Sequence, residues 1–284
     1  MNDKGLHVLT NFIQMYGVSF IDKVIVASDP NVKKDYFFEI KNKLTEYKVN
    51  FFDRNDTFDV ITEYSFVVGW RWIINNNSKL IVFHDSLLPR YRGFSPLVNM
   101  LIKGECEIGV TALLASNAYD EGDVFIQKSI AVDYPLTIIN AIKIIKPLYF
   151  DCLQYIVDKL IMDESLELKK QNHSDATYSL WRDEKDYIID WNQSSELIKR
   201  FVDAVSYPYN GAVTYMDSVK IKILDVEVIN DLCIENRDIG KVLFKTDGFP
   251  TVVCGQGLLK LTKIVDMDDN DVLPLKNFRI RFGA

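Results

Sequence analysis

The chain has 284 residues, of which 48% are apolar and 26% charged, and it carries a formal net charge of −7. This is an ordinary globular composition, long enough for one large domain or two smaller ones. The acidic balance argues against a nucleic-acid partner, because a positive face that neutralises phosphates supplies most of that affinity. No apolar run approaches membrane-spanning length, and the opening "MNDKGLHVL" is not a signal peptide. The four cysteines, Cys106, Cys152, Cys233 and Cys254, show no metal-ligand spacing, as expected of reduced thiols in a cytoplasmic protein without a metal site.

From Gly5 to Tyr16 the residues Leu6, Leu9, Phe12 and Ile13 share one helical face. "DKVIVASD" (Asp22 to Asp29) reads as a buried strand, and Phe37, Ile40, Leu44 and Tyr47 recur at helical spacing. "YSFVVGW" (Tyr64 to Trp70) and "KLIVFH" (Lys79 to His84) are continuous apolar runs that fit strands buried on both faces. Ser95 and Pro96 open a helix that Gly104 can end. "GVTALLA" (Gly109 to Ala115) is a further strand, and a long helix kinked at Pro147 is expected over about 137–160. Strands alternating with helices predict an α/β fold with an open, mostly parallel twisted sheet, Rossmann-like, and a site at the carboxyl ends of its strands.

The pattern changes near Lys170. A helix over about 194–205 buries Leu197, Ile198, Phe201 and Val205, and short strands follow, separated by turns at Asp217–Ser218, 246–248 and 255–257. This predicts a small antiparallel β-barrel, OB-like. The polar stretch "KKQNHSD" (Lys169 to Asp175) is the expected linker, dividing a domain over 1–170 from one over 171–284.

His84 stands where the strand "KLIVF" ends, and Asp120 lies in the loop "NAYDEGD" after the next strand. Two parallel-sheet loops can bring them together, and a carboxylate beside an imidazole makes a base or an electrostatic stabiliser. Spacing alone also fits a histidine that only packs, acidic residues that only form a turn, and solvated arginines at Arg90 and Arg92.

The segment "HDSLLPRYRGFSPLVNMLIKGECEIGVTALLASNAYDEGDVF" resembles the core of the 10-formyltetrahydrofolate-dependent formyltransferases. That family carries Asn, any residue, His, then Ser-Leu-Leu-Pro and Gly, continues with Gly-Val-Thr, and ends in a loop of Asp, two residues, Asp. Here these positions are His84, Ser86, Leu87, Leu88, Pro89 and Gly93, then Gly109, Val110 and Thr111, then Asp120 and Asp123. "ATYSLWRDEKDYIIDW" (Ala176 to Trp191), "YPYNGAVTY" (Tyr207 to Tyr215) and "GQGLLKL" (Gly255 to Leu261) resemble the family's accessory barrel. The resemblance implies 10-formyltetrahydrofolate as cofactor, its pterin meeting Gly69, Trp70, Arg71 and Trp72 and the loop of Ser116, Asn117 and Asp120. His84 would stabilise the oxyanion or help move the proton, and Asp120 would hold His84 and accept the proton of the attacking amine. No metal is expected.

Two departures stand out. The family's catalytic asparagine falls on Val82, and a valine cannot donate to an oxyanion; losing one such donor typically costs about a hundredfold to a thousandfold in rate. A catalytically impaired folate- or sugar-nucleotide-binding relative is therefore one reading. The family also opens on a strand and a glycine-containing turn, whereas only Met1 to Lys4 precede Gly5, so the expectation is either a reduced first strand or a start that lies inside the gene.

The family acts on methionyl-tRNA, on glycinamide ribonucleotide or on nucleotide-linked amino sugars. The glycinamide enzymes generally lack the barrel. The basic cluster of Lys33, Lys34, Lys41, Lys43 and Lys48 is the one candidate surface for tRNA, and helical spacing scatters it. A sugar nucleotide needs a cation or two and an aromatic, which Trp181, Arg182, Tyr187, Tyr207 and Tyr209 supply, with Ser86, Arg90 and Arg92 as further contacts. The leading expectation is N-formylation of a nucleotide-linked deoxyamino sugar for surface polysaccharide, with a small-molecule substrate and, by resemblance, a homodimer. Methionyl-tRNA formyltransferase is the alternative.

Overall fold

The computed structural model describes residues 2–30, 32, 34–74 and 78–283. The Met1 position and Lys33 of the expected basic cluster lie outside them. The chain packs as two compact units. The first comprises the residues up to Leu97 together with Cys106–Val132 and Asn140–Leu180; the second comprises Val98–Glu105, Asp133–Ile139 and the residues from Trp181 on. Along the C-terminal half of the chain these units meet at Leu180 and Trp181.

In the first unit, α1 (Asp3–Tyr16) is capped by the Asn2 side chain, which accepts from the Gly5 amide at 2.9 Å. No strand precedes it among the described residues. β1 (Val24–Val26) and β2 (Phe51–Asp53) pair in parallel around α2 (Phe37–Glu46). Val26, Ile40, Leu44 and Val49 form their core, with Leu6 and Leu9 of α1 packed on it. Each fully buried aliphatic side chain there contributes about 1.5–3 kcal/mol.

The main sheet runs β3 (Tyr64–Val68), β4 (Lys79–His84), β6 (Glu107–Leu114), β7 (Val124–Ala131) in that spatial order. Only β3 and β4 are parallel; β4–β6 and β6–β7 are antiparallel, so the sheet is mixed rather than mostly parallel. The nine residues between Leu114 and Val124 are too few for the helical crossover a parallel pair needs. A two-residue strand β5 (Arg92–Gly93) precedes α3 (Pro96–Lys103), which ends at left-handed Gly104. α4 (Ile138–Ile161) is helical through Pro147, and β8 (Tyr178–Ser179) pairs in parallel with β5.

In the second unit α5 (Ser195–Val205) is capped by Ser194 and buries Ile198, Val202 and Val205; Leu197 and Phe201 are only partly covered. The strands β9 (Ala212–Met216), β10 (Val219–Ile229), β11 (Val242–Thr246), β12 (Phe249–Val253) and β13 (Leu258–Val265) form one antiparallel sheet, ordered β11-β12-β13-β10-β9. The hairpin turns carry positive φ at Asp217 and Ser218 and at Asp247 and Gly248, as two-residue hairpin loops require. The expected closed barrel is not formed by these strands. Its two edges do not bond each other; single antiparallel bridges join the C-terminal segment to both, Met216 to Phe282 and Lys241 to Arg281.

Candidate active site

The site is built on the end of β4. Val82 and His84 alternate with Phe83, so they share one sheet face. The turn after His84 is fixed from below. Thr111 of β6, fully buried, donates through Oγ1 to Ser86 O at 2.6 Å and accepts from the Leu88 amide at 3.0 Å. Gln127 of β7 donates from Nε2 to Leu88 O at 2.8 Å and to Thr111 Oγ1 at 2.9 Å. Gly109 is needed because a Cβ there would lie 2.6 Å from both Leu87 Cδ2 and Lys128 O. The Ser-Leu-Leu-Pro and Gly-Val-Thr segments are therefore two halves of one packed turn.

His84 is buried, with 8% exposure, and its Nε2 lies 2.9 Å from Tyr91 O, an acceptor only. A neutral ring must therefore carry its proton on Nε2. That leaves Nδ1 as an acceptor, 3.5 Å from Asp120 Oδ1. The Nδ1 lone pair and the carboxylate thus bracket a position where one proton can be held. Asp120 is itself fixed: Oδ2 accepts from the Gly93 amide at 2.8 Å, and Asp120 O accepts from Gln171 Nε2 at 2.8 Å.

The route to this contact differs from the expected one. β6 runs antiparallel to β4, so its loop leaves beside Leu80, where the Ala115 amide donates to Leu80 O at 2.8 Å. The loop then doubles back toward His84. Asp120 adopts φ +57°, and at Gly122 a Cβ would sit 1.7 Å from Leu114 O, so only glycine permits the reversal.

The segment 169–179, which includes the expected boundary stretch 169–175, is bonded to Val124 and to the turn after His84. Lys169 bridges to Val124, the Thr177 amide donates to Pro89 O at 3.2 Å, Thr177 Oγ1 accepts from the Tyr91 amide at 2.9 Å, and Ser179 Oγ donates to Tyr91 O at 3.2 Å. Its polar side chains read as solvated sequence, but they serve backbone groups of the first unit. No pattern in the sequence singles out Gln171, Gln127 or Thr177; Glu121 alone carries a signal, its place beside Asp120 in the acidic loop.

Two expected substrate contacts have other roles. Arg92 is 1% exposed; its Nη1 donates to Glu121 Oε1 at 3.0 Å, and Nη2 meets Gln171 Oε1 at 2.7 Å and His173 Nδ1 at 3.2 Å. Ser86 is fully buried and donates to Arg90 O at 2.7 Å. Both are internal because the turn folds over them. Arg90 is exposed, its guanidinium 5.3 Å from the Tyr91 ring centre.

Of the expected cofactor contacts, Gly69 is exposed with φ +57°, Trp70 and Trp72 meet edge to face at 5.0 Å, and Arg71 Nη1 pairs with Asp29 Oδ1 at 2.9 Å. Trp70 Nε1 is buried without a partner among the described residues. Ser116 and Asn117 are exposed, with Ser116 Oγ donating to Ala118 O at 2.8 Å. A buried indole N–H left unpaired is the kind of donor a polar heterocycle can satisfy, so Trp70 fits a folate at this end of β3. Among the described residues no cluster of His, Cys, Asp and Glu is arranged to hold a metal, and no helix is long and apolar enough to cross a membrane.

Trp181, Arg182, Tyr187, Tyr207 and Tyr209 belong to the second unit. Trp181 and Tyr207 are exposed. Arg182 is half-buried, donating from Nη2 to Asn99 Oδ1 at 2.8 Å and from Nη1 to Asp186 O at 3.1 Å. Burial pushes the Tyr187 hydroxyl above its usual range, against the pull of Arg182. Tyr209 is partly covered. In the first unit Lys34 pairs with Glu39, and Lys41 with Asp53 at 3.4 Å, so these two lysines of the basic cluster face carboxylates.

Residues 30–142 match the family model described as formyl transferase, and residues 182–280 match the formyl transferase C-terminal domain. Among curated proteins, the chain is 31% identical over 185 residues to a methionyl-tRNA formyltransferase of Syntrophomonas wolfei, covering 64% of this chain and 57% of that protein. It is 25% identical to one of Ehrlichia canis, covering 92% of this chain and 81% of that protein. The chain thus spans little more than half the length of the first of these relatives. Its fold is similar to that of WlaRD, a sugar 3N-formyltransferase solved in the presence of dTDP and 5-N-formyl-THF, with TM-score 0.62, 18% identity, and coverage of 92% of this chain and 96% of that one.

Proposed function

The chain belongs to the formyl transferase family, and on that premise we propose that it moves a formyl group from 10-formyltetrahydrofolate to the amine of a nucleotide-linked deoxyamino sugar. The observation that carries the chemistry is the His84–Asp120 pair, whose facing Nδ1 and Oδ1 leave one proton position between them. A bound formyl-folate supplies an activated formyl carbon and a nitrogen leaving group. The acceptor amine forms the new C–N bond and loses one proton; Nδ1 and the Asp120 carboxylate take it and return it to the departing folate nitrogen. His84 has its N–H on Tyr91 O, so in this ground state it serves the proton rather than the oxyanion.

The net charge of −7 and the carboxylate partners of Lys34 and Lys41 support a small acceptor over tRNA. On this reading Arg90, exposed on the turn after His84, is a cation that can meet a phosphate. Methionyl-tRNA is the second reading, favoured by the names of the curated relatives. Tetrahydrofolate release, followed with a panel of amino-sugar nucleotides and with methionyl-tRNA, separates them. Release with a sugar nucleotide is expected. Methionyl-tRNA formylation without sugar turnover reverses the assignment, and no turnover with any amine leaves a chain that binds without catalysing.

Val82 supplies no donor, so the oxyanion is assigned to Asn117 or to main-chain amides of the Asn117–Asp120 loop. Val82→Asn is then expected to change kcat/KM little. A gain of about a hundredfold or more would show instead that a donor is missing at this position.

A further inference from the structure

The sheet holds the two ends of the loop that carries Asp120, through Ala115 and Asp123, but not its middle. The loop doubles back from the far end of β6 and places Asp120 in the left-handed region, a conformation that a non-glycine residue keeps only when other bonds hold it there. Those bonds converge on one side chain. Gln171 is 8% exposed; its Nε2 donates to Asp120 O and to Gly122 O, both at 2.8 Å, and its Oε1 accepts from Arg92 Nη2 at 2.7 Å and Nε at 3.2 Å. The amide orientation is unambiguous: the flipped form would set the NH2 group against a guanidinium and the oxygen against two carbonyls. Arg92 in turn grips the Glu121 side chain, and its neighbour Gly93 gives its amide to Asp120 Oδ2. One carboxamide therefore ties both supports of the carboxylate, the loop backbone and the β5 strand, into a single frame.

We propose that Gln171 is a positioning residue for the formyl-transfer reaction, holding the Asp120 carboxylate at the distance from His84 that proton uptake requires. This rests on the transfer reading above. Gln171 touches no reacting atom and acts through Asp120.

Gln171→Glu keeps the oxygen that faces Arg92 but turns the double donor into an acceptor against two carbonyls. We expect kcat to fall about tenfold to a hundredfold, as for a catalytic group displaced by roughly an ångström, with the KM for the folate donor unchanged. Gln171→Leu is expected to behave alike, and in an Asp120→Asn background it should cost nothing further, because the group it positions is gone. A kcat within twofold of the parent, or a loss that multiplies with that of Asp120→Asn, overturns the proposal. A second readout needs no turnover. The chain has three histidines, so the His84 ring resonances can be assigned by substitution. They are expected to shift in Gln171→Leu, and unchanged resonances would count against the proposal. Failure of the transfer reading appears separately, as absent tetrahydrofolate release by the unsubstituted protein.

Discussion

Asp120→Asn is expected to lower the formyl-transfer rate by about a hundredfold to ten-thousandfold, the range over which positioned proton-transfer groups act. The substitution is nearly isosteric, and a side-chain oxygen can still accept from the Gly93 amide that holds Oδ2 at 2.8 Å. What changes is the partner of His84 Nδ1: an amide cannot take the proton that the attacking amine releases. On the proposed reading, in which Trp70 and the Ser116–Asn117 backbone meet the folate, binding of the donor should survive. Steady-state rates beside a direct folate-binding titration check both parts. Retained turnover would remove Asp120 from the mechanism, and with it the proton position between the two side chains.

The largest stability effect is expected at the other side of β4. Asp85 follows His84 and is mostly buried, as is Lys4 of α1, which pairs with it; Tyr149 of α4 donates to the same carboxylate. Burial by itself raises the pKa of such a group. Here the Lys4 ammonium and the Tyr149 hydroxyl outweigh it and hold Asp85 below the usual carboxylate range. Removing one partner of a buried ion pair typically costs about 3–5 kcal/mol, because the other charge is left without compensation. Lys4→Met should therefore lower Tm by roughly 6–20 °C, at about 2–4 °C per kcal/mol for a unit of this size. The pH dependence has a definite sign. A carboxyl held low in the folded state adds stability above its unfolded value of 3.8, and that stability is lost as the pH falls through the lower folded value. The Tm gap between parent and Lys4→Met should thus be widest near neutrality and narrow below about pH 4. A gap under 2 °C at pH 7, or one that widens on acidification, would refute this account of the pair.

The sequence by itself determined the elements whose signals are local. The continuous apolar run before His84 placed that residue at a strand end, and Asp217–Ser218 and Asp247–Gly248 announced hairpin turns because few other residues take positive φ there. The pairing of the Ser-Leu-Leu-Pro turn with Gly-Val-Thr was visible as two motifs, though not as the Thr111 bonds that join them. Only the tertiary structure decided the rest. Strand direction in β6 depends on which backbone it meets, and a continuous apolar run looks the same in either direction. Arg92 is charged and its neighbours are polar, so its composition pointed to solvent or substrate; three partners from distant parts of the chain made it internal. The segment 169–179 carries no periodicity because its bonds go to irregular backbone, one residue at a time. Hydrogen bonds between residues 27 to 51 positions apart leave no local pattern in a sequence, and in this protein they are what hold Asp120 against His84.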